Sequence, residues 1–248
     1  MTRFTRVCGA GDGYRYINRD IGKAVHHYRM IEDGDRILVG VSGGKDSLTM
    51  LWALDERRSR IPVSYALYGV YIDPGFEPGF APELSEWCRR SGFSLRVEHT
   101  DCGVLAHSEA NRENPCFLCA RLRRKRIFEV AEELNCNKVA FGHHKDDIIE
   151  TFFINICYAG AMYTMRPKQI FFDGKITVIR PLAFVDESRI RRFADTNEFP
   201  KFDNPCPTAK ISKRKEIKTL LKQLYRNNRN IKGNIFRSLG HVKPEYFL

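Results

Sequence analysis

The stretch 36-RILVGVSGGKDSLTMLWAL-54 decides how the chain is read. Ile37, Leu38, Val39 and Val41 form a short apolar run. The loop Ser42-Gly43-Gly44-Lys45-Asp46-Ser47 follows, and then Leu48, Leu51, Trp52 and Leu54 recur at helical spacing. That order predicts a strand, a phosphate loop and a helix. The loop is not a Walker A motif. The position five before Gly44 is Val39 rather than glycine, and Lys45 is followed by Asp46 rather than by Ser or Thr. It offers two glycines that let backbone N–H groups approach an anion at a helix N-terminus. Lys45 adds a point charge, and Asp46 is a carboxylate suited to Mg2+ on a pyrophosphate.

Outward from this loop, strand-like runs recur at 37–41, 67–72, 94–98, 138–141 and 176–179. Helical patterns lie at 46–56, 81–91, 118–134, 147–158 and 186–197. The alternation predicts an α/β fold, an open parallel sheet with helices on both faces. Ligands of such sheets sit at the C-terminal ends of the strands, where the loop falls. The expected organisation is an N-terminal segment 1–34, a phosphate-loop domain 35–200 and a basic segment 201–248. Residues 1–30 read as helix or loop. Between 208 and 237 there are ten Lys/Arg and one acid, Glu216, with an apolar stripe of Ile217, Leu220, Leu221 and Leu224. This predicts a basic amphipathic helix docked on the main domain.

The 248 residues hold no apolar run of the roughly 18–20 residues that cross a bilayer. The N-terminus has no apolar signal region, so the expected setting is the cytoplasm, with no membrane partner. The balance of 41 Lys+Arg against 30 Asp+Glu, a net charge of +11, points to a polyanionic partner such as nucleic acid. Eight cysteines in such a chain read as thiols rather than a disulfide framework. Cys136 and Cys157, in apolar surroundings, are expected in the core.

A second motif is 140-AFGHHKDDIIETFFIN-155. His143 and His144 follow a strand, and Asp146 and Asp147 open a helix. One acid there is explained by the helix dipole alone. Two acids and two histidines together suit Mg2+ or activation of a substrate oxygen. His143 and His144 either line a nucleotide site or include one hydrogen-bonded core histidine.

A third motif is 114-NPCFLCARLRRKR-126. A C-x-x-C pair serves redox, zinc or iron–sulfur chemistry. Zinc calls for a second pair, which the chain lacks, and a redox pair belongs at the first helix of a thioredoxin-like domain. An iron–sulfur cluster can use Cys116, Cys119 and one distant cysteine. Cys206, between prolines in 204-NPCPT-208, is the candidate, and three ligands leave one iron open to bind sulfide. Arg121, Arg123, Arg124, Lys125 and Arg126 follow the pair, and Lys213, Arg214, Lys215 and Lys218 follow Cys206. These runs are either solvated helix faces or an RNA surface near the active site. Arg123 or Arg124 is placed to stabilise charge on a reaction intermediate. Asp73, closing 68-YGVYIDPGF-76, is where a second strand would meet the adenosine half of a nucleotide.

SGGKDS resembles the PP-loop of the ATP pyrophosphatase superfamily, with its adenine nucleotide alpha hydrolase-like fold. Its members cleave ATP between the α and β phosphates, adenylate a substrate oxygen and let a nucleophile displace AMP. HHxDDxxET resembles the second signature of the tRNA-modifying branch. PCFLCARLRRKRIF, GHHKDDIIETFFIN, VIRPLAFVDESRIRRFA and IFRSLGHVKPEYF are similar to the tRNA 2-thiocytidine synthetase family and its 2-thiouridine relatives. The resemblance covers most of the chain. It implies a [4Fe–4S] cluster on Cys116, Cys119 and Cys206, ATP with Mg2+, and an adenylated pyrimidine. It implies tRNA as acceptor, a persulfide (from a cysteine desulfurase) or sulfide as sulfur donor, and a homodimer. Ser42, Gly43, Gly44, Lys45, Asp46 and Ser47 would hold ATP, with Asp73, His143 and His144. Lys45, Asp46, Arg123, Asp146 and Asp147 would act in the chemistry. Family members carry a second C-x-x-C around the third ligand, whereas Cys206 stands alone. The competing readings are a lysidine- or amidation-type ligase with a zinc or vestigial cysteine site, and a non-catalytic RNA-binding module.

Overall fold

The computed structural model describes residues 12–208 and 213–246. Cys8 and Lys210 of the basic segment lie outside the described residues. The chain divides into two compact units, residues 1–144 with 166–209, and residues 145–165 with 210–248. This division differs from a linear one at 200/201. Cys206 belongs with the first unit, and the basic segment shares the second unit with residues 145–165.

The first unit is built on six strands: β1 (Asp35–Gly40), β2 (Tyr65–Asp73), β3 (Leu95–His99), β4 (Lys138–Phe141), β5 (Lys168–Phe171) and β6 (Ile176–Ile179). Their order is β3-β2-β1-β4-β6-β5, parallel except for β5, which pairs antiparallel with β6. The open parallel sheet expected from the alternation is present. The sequence reading lacked β5, four residues without clear alternation at the sheet edge. The period of two in each strand explains the two cores. Ile37, Val39, Tyr71, Ala140 and Ile179 face a core shared with α1 (Asp12–His27), α2 (Lys45–Arg58), α3 (Ala81–Arg90) and α7 (Glu187–Thr196). Leu38, Val70, Ile72, Val139 and Val178 face the opposite core, with Ile127, Val130 and Ala131 of α5 (Pro115–Glu133) and Cys102 of the short α4 (Cys102–Ala106).

The second unit is helical. In α6 (Lys145–Ile154), Ile149 and Phe153 pack with Ile217, Leu221 and Leu224 of α8 (Lys213–Asn227) and with Ile235 and Phe236 of α9 (Ile231–Ser238). The apolar stripe read from the basic segment lies on α8, where Ile217, Leu221 and Leu224 pack on α6 while Leu220 is exposed. The helix expected at 147–158 begins at Lys145 and is α-helical only to Ile154. It becomes a π-helical turn over Asn155–Ala159 and stops at Gly160 in the left-handed conformation. The extra residue per turn rotates the following side chains off the α-helical face. Cys157 is therefore exposed, which corrects its assignment to the core, whereas Cys136 is buried.

Candidate active site and thiol cluster

The phosphate loop leaves β1 and enters α2. Gly43 has φ +76°, and a Cβ there would lie 2.6 Å from the Phe80 ring, so both conformation and space require glycine. Phe80 in turn stacks on Phe202 at 4.9 Å. Ser47 closes the loop: its Oγ donates to the Gly44 carbonyl at 2.9 Å and accepts from the Ser42 N–H at 3.0 Å. Gly44 caps α2 with extended backbone and no side-chain acceptor, so the first N–H groups of the helix are presented to an incoming anion. Lys45 lies 3.1 Å from Asp46 and 3.3 Å from Glu187. Gly142, after β4, lets the next loop pass against this helix start; a Cβ there would lie 3.0 Å from the Ser47 nitrogen. His144 is buried, with Nε2 3.7 Å from Asp46 Oδ1. That oxygen is buried and accepts no hydrogen bond among the described residues. A hard, acceptor-only atom held this way fits a Mg2+ ion.

The thiols gather in the same unit. Pro115 opens α5, and the Asn114 side chain caps it by accepting from the Cys116 and Phe117 N–H groups at 3.0 and 3.3 Å. Asn204 accepts from the Cys206 N–H at 3.0 Å. The tripeptide Asn-Pro-Cys thus makes the same local turn twice. Thr208 Oγ1 stands between the two thiols, 3.4 Å from Cys116 Sγ and 3.5 Å from Cys206 Sγ. His107 Nδ1 donates to the Gly103 carbonyl at 2.8 Å, which leaves Nε2 to accept from the Thr208 hydroxyl at 3.0 Å. Cys119 meets a fourth thiol, Cys102. Their hydrogen bond pulls the Cys102 thiol down and pushes Cys119 up, and the Arg123 charge acts on both. Among the described residues, no three Cys, His, Asp or Glu side chains are close enough to share one metal ion. A multi-iron cluster does not need three ligands around one ion, because each of its cysteines binds a different iron, and the thiols of Cys116 and Cys206 meeting at Thr208 are placed for such a group.

The remaining predicted residues fall as follows. Arg123 is half-buried beside the thiols, and its Nε has no hydrogen-bond partner among the described residues. Asp73 closes β2, accepting from the Gly75 N–H at 3.0 Å and lying 3.3 Å from His99. Its carboxylate is thus engaged in a turn. His143 is half-buried, edge-on to Phe141. Asp146 and Asp147 open α6 in the second unit, where Lys232 lies 2.7 Å from Asp146 and Arg214 lies 2.8 Å from Asp147. Arg214 and Lys218 also face Glu150, at 3.3 and 3.9 Å. Burial, opposed by these cations, pushes the Glu150 carboxyl up to about 7. The basic run after Cys206 is therefore partly spent on the acids of α6. In the other run, Arg126 is held by Glu98, Glu129 and Glu133, and Arg121 by Glu113.

Sequence reasoning missed Gly142, His107, Thr208, Cys102 and the two asparagines. The repeated Asn-Pro-Cys was a usable signal for the asparagines. His107, Thr208 and Cys102 join the group only through the fold.

The PP-loop domain family matches residues 14–224. The tRNA-cytidine(32) 2-sulfurtransferase of Syntrophotalea carbinolica is 41% identical over 239 residues, 95% of this chain and 92% of that protein. The enzyme of the same name from Geobacter sulfurreducens is 40% identical over 240 residues, 95% and 93% of the two chains. Among solved structures, the U34-tRNA thiolase of Methanococcus maripaludis, determined with its [4Fe–4S] cluster, superposes with a TM-score of 0.75 at 23% identity, covering 93% of this chain and 80% of that one. The NH3-dependent NAD synthetase of Campylobacter jejuni superposes at 0.52 with 12% identity over 94% of both chains, which shows the sheet's kinship alone. A phosphate loop without a Walker serine, a gathered set of thiols and these relatives agree: the chain belongs to the PP-loop family, among the tRNA-cytidine 2-sulfurtransferases.

Proposed function

We propose that this protein is an ATP-dependent tRNA sulfurtransferase that replaces the 2-oxo group of a cytidine, position 32 by its relatives' name, with sulfur. The observation that supports it most is the meeting of Cys116 and Cys206 at Thr208, in the unit that also carries the phosphate loop. The α2 N–H groups and Lys45 hold the ATP phosphates. Asp46 is the residue of this loop that would hold Mg2+, which supplies charge neutralisation at the phosphates when bound. The cytosine 2-oxygen attacks the α-phosphorus, pyrophosphate leaves, and the base carries AMP on that oxygen. A sulfur nucleophile then adds at C2 and AMP departs. Cys116, Cys119 and Cys206 would hold a [4Fe–4S] cluster, which supplies an iron free to carry sulfur when bound. Arg123 offsets negative charge beside the thiols. A persulfide or sulfide donor and a homodimer complete this reading. No helix among the described residues is long and apolar enough to cross a membrane, and the expected setting remains the cytoplasm.

The test is mass spectrometry of tRNA nucleosides from cells with and without the gene. Loss of 2-thiocytidine on deletion, restored by the wild-type gene and not by Cys116→Ala, is expected. Loss of a thiouridine instead would change the acceptor base. An unchanged nucleoside profile would overturn the assignment to tRNA.

A further inference from the structure

Arg180 follows β6 directly, at the C-terminal edge of the sheet. It is 9% exposed. One guanidinium nitrogen, Nη1, donates to the Arg166 carbonyl, while Nε is buried with no hydrogen-bond partner among the described residues. No carboxylate among the described residues pairs with it. The charge that acts on it is another cation, Arg124 of α5, and burial together with this repulsion brings it down to about 10. At neutral pH it still carries its charge. A buried cation without a counter-charge is costly, and a bound anion would offset that cost. β6 lies parallel and next to β4, with Ile179 opposite Ala140. The chain leaving β4 passes Gly142 against the start of the phosphate-loop helix. Arg180 therefore stands on the same sheet edge as that loop, on a separate strand.

We propose that Arg180, with Arg124 at its rim, is an anion subsite that takes a phosphate oxygen. Its planar guanidinium presents several N–H donors in a fixed fork, and the carbonyl of Arg166 occupies one of its terminal nitrogens. Two phosphates have this chemistry, a phosphodiester of the RNA and a phosphate of ATP. That the anion is one of these rests on the function proposed above; the charge geometry does not.

The test uses the full-length chain with Arg180→Met and Arg180→Lys beside wild type. Affinities are measured separately for an anticodon stem–loop RNA and for α,β-methylene-ATP, and melting temperatures are taken with and without inorganic phosphate. Arg180→Met is expected to weaken one of the two ligands tenfold or more, and Arg180→Lys to recover part of it. The ligand that weakens identifies the source of the phosphate. Unchanged affinity for both, with a melting temperature lowered even without ligand, would overturn the subsite and make Arg180 a clamp on the 166 carbonyl. If wild type binds neither ligand, the proposed function falls, and inorganic phosphate decides the subsite alone. A phosphate-dependent rise in melting temperature that persists in Lys45→Met and vanishes in Arg180→Met would support it. An equal rise in Arg180→Met would overturn it.

Discussion

Two buried cations stand at opposite ends of the same sheet, and only one is neutralised. Lys138, the first residue of β4, is buried, with Asp35 at 2.7 Å and Glu32 at 3.2 Å. Asn137 donates to Asp35 at 2.7 Å and accepts from the Arg36 N–H at 2.9 Å, so the network closes on itself. At the other end, Arg180 Nε and Asp46 Oδ1 are buried without hydrogen-bond partners among the described residues. The N-terminal end meets the requirement that buried charge be paired. The C-terminal end departs from it at Arg180, and there Asp46, whose other oxygen faces Lys45 at 3.1 Å, keeps Oδ1 without a hydrogen bond among the described residues. Completeness marks the part of the sheet that serves stability, and incompleteness marks the part that serves binding.

The contrast predicts opposite outcomes for two substitutions of one acid each. Asp46→Asn removes the carboxylate from the phosphate loop. AMP release in the presence of tRNA should fall by at least a hundredfold while the melting temperature stays close to wild type. Asp35→Ala strips Lys138 of its buried partner and should cost about 3–5 kcal/mol of stability. Its turnover per folded molecule, measured below the melting range, should remain near wild type. A stable Asp35→Ala protein, or an unstable Asp46→Asn protein with normal AMP release, would break the comparison.

A smaller effect tests the same idea in the second unit. Glu150 is buried, and its folded carboxyl titrates near 7, above its ordinary value of 4.5, because burial outweighs Lys218 and Arg214. Between these values the folded state keeps a proton that the unfolded state has lost. Stability from this group is thus full below about 4.5 and declines as pH rises to about 7. Relative to Glu150→Gln, wild type should lose on the order of 3 kcal/mol between pH 5 and pH 8. Parallel pH profiles for the two proteins would show that the cations of α8 compensate Glu150 fully.

Much of the fold is legible in the sequence alone. The run 37–41, the loop after it and the alternation of later segments suffice for a parallel sheet with its phosphate loop at the strand ends, because period and turn chemistry are local. The thiol group is legible only as a set of cysteines. Thr208 and His107 are 101 residues apart in sequence and meet by a hydrogen bond that no local pattern encodes. The basic segment is only partly legible for a related reason. Its charges read as solvated helix faces or a surface for RNA, and neither reading marks that Arg214, Lys218 and Lys232 turn to the acids of α6. Composition counts charges and says nothing of which ones are already paired.

The two Asn-Pro-Cys turns sharpen the comparison at its smallest scale. Asn114 caps a helix of 19 residues and satisfies two of its N–H groups, whereas Asn204 holds a single N–H in a loop. Asn114→Ala should therefore cost about 1 kcal/mol, the usual worth of a helix cap. Asn204→Ala should cost less, because the N–H it releases is near the surface and can be taken up by water. Both turns, however, fix the backbone of a cysteine assigned to the cluster. If that is what the repeated motif is for, the two variants should lose bound iron to a similar extent despite their unequal stabilities. Iron per chain after anaerobic reconstitution, set against chemical denaturation of the same samples, separates the two contributions. Iron loss that simply follows stability would mean that the asparagines serve the fold and that the thiols are positioned by other contacts, with Thr208 and His107 the next residues to change.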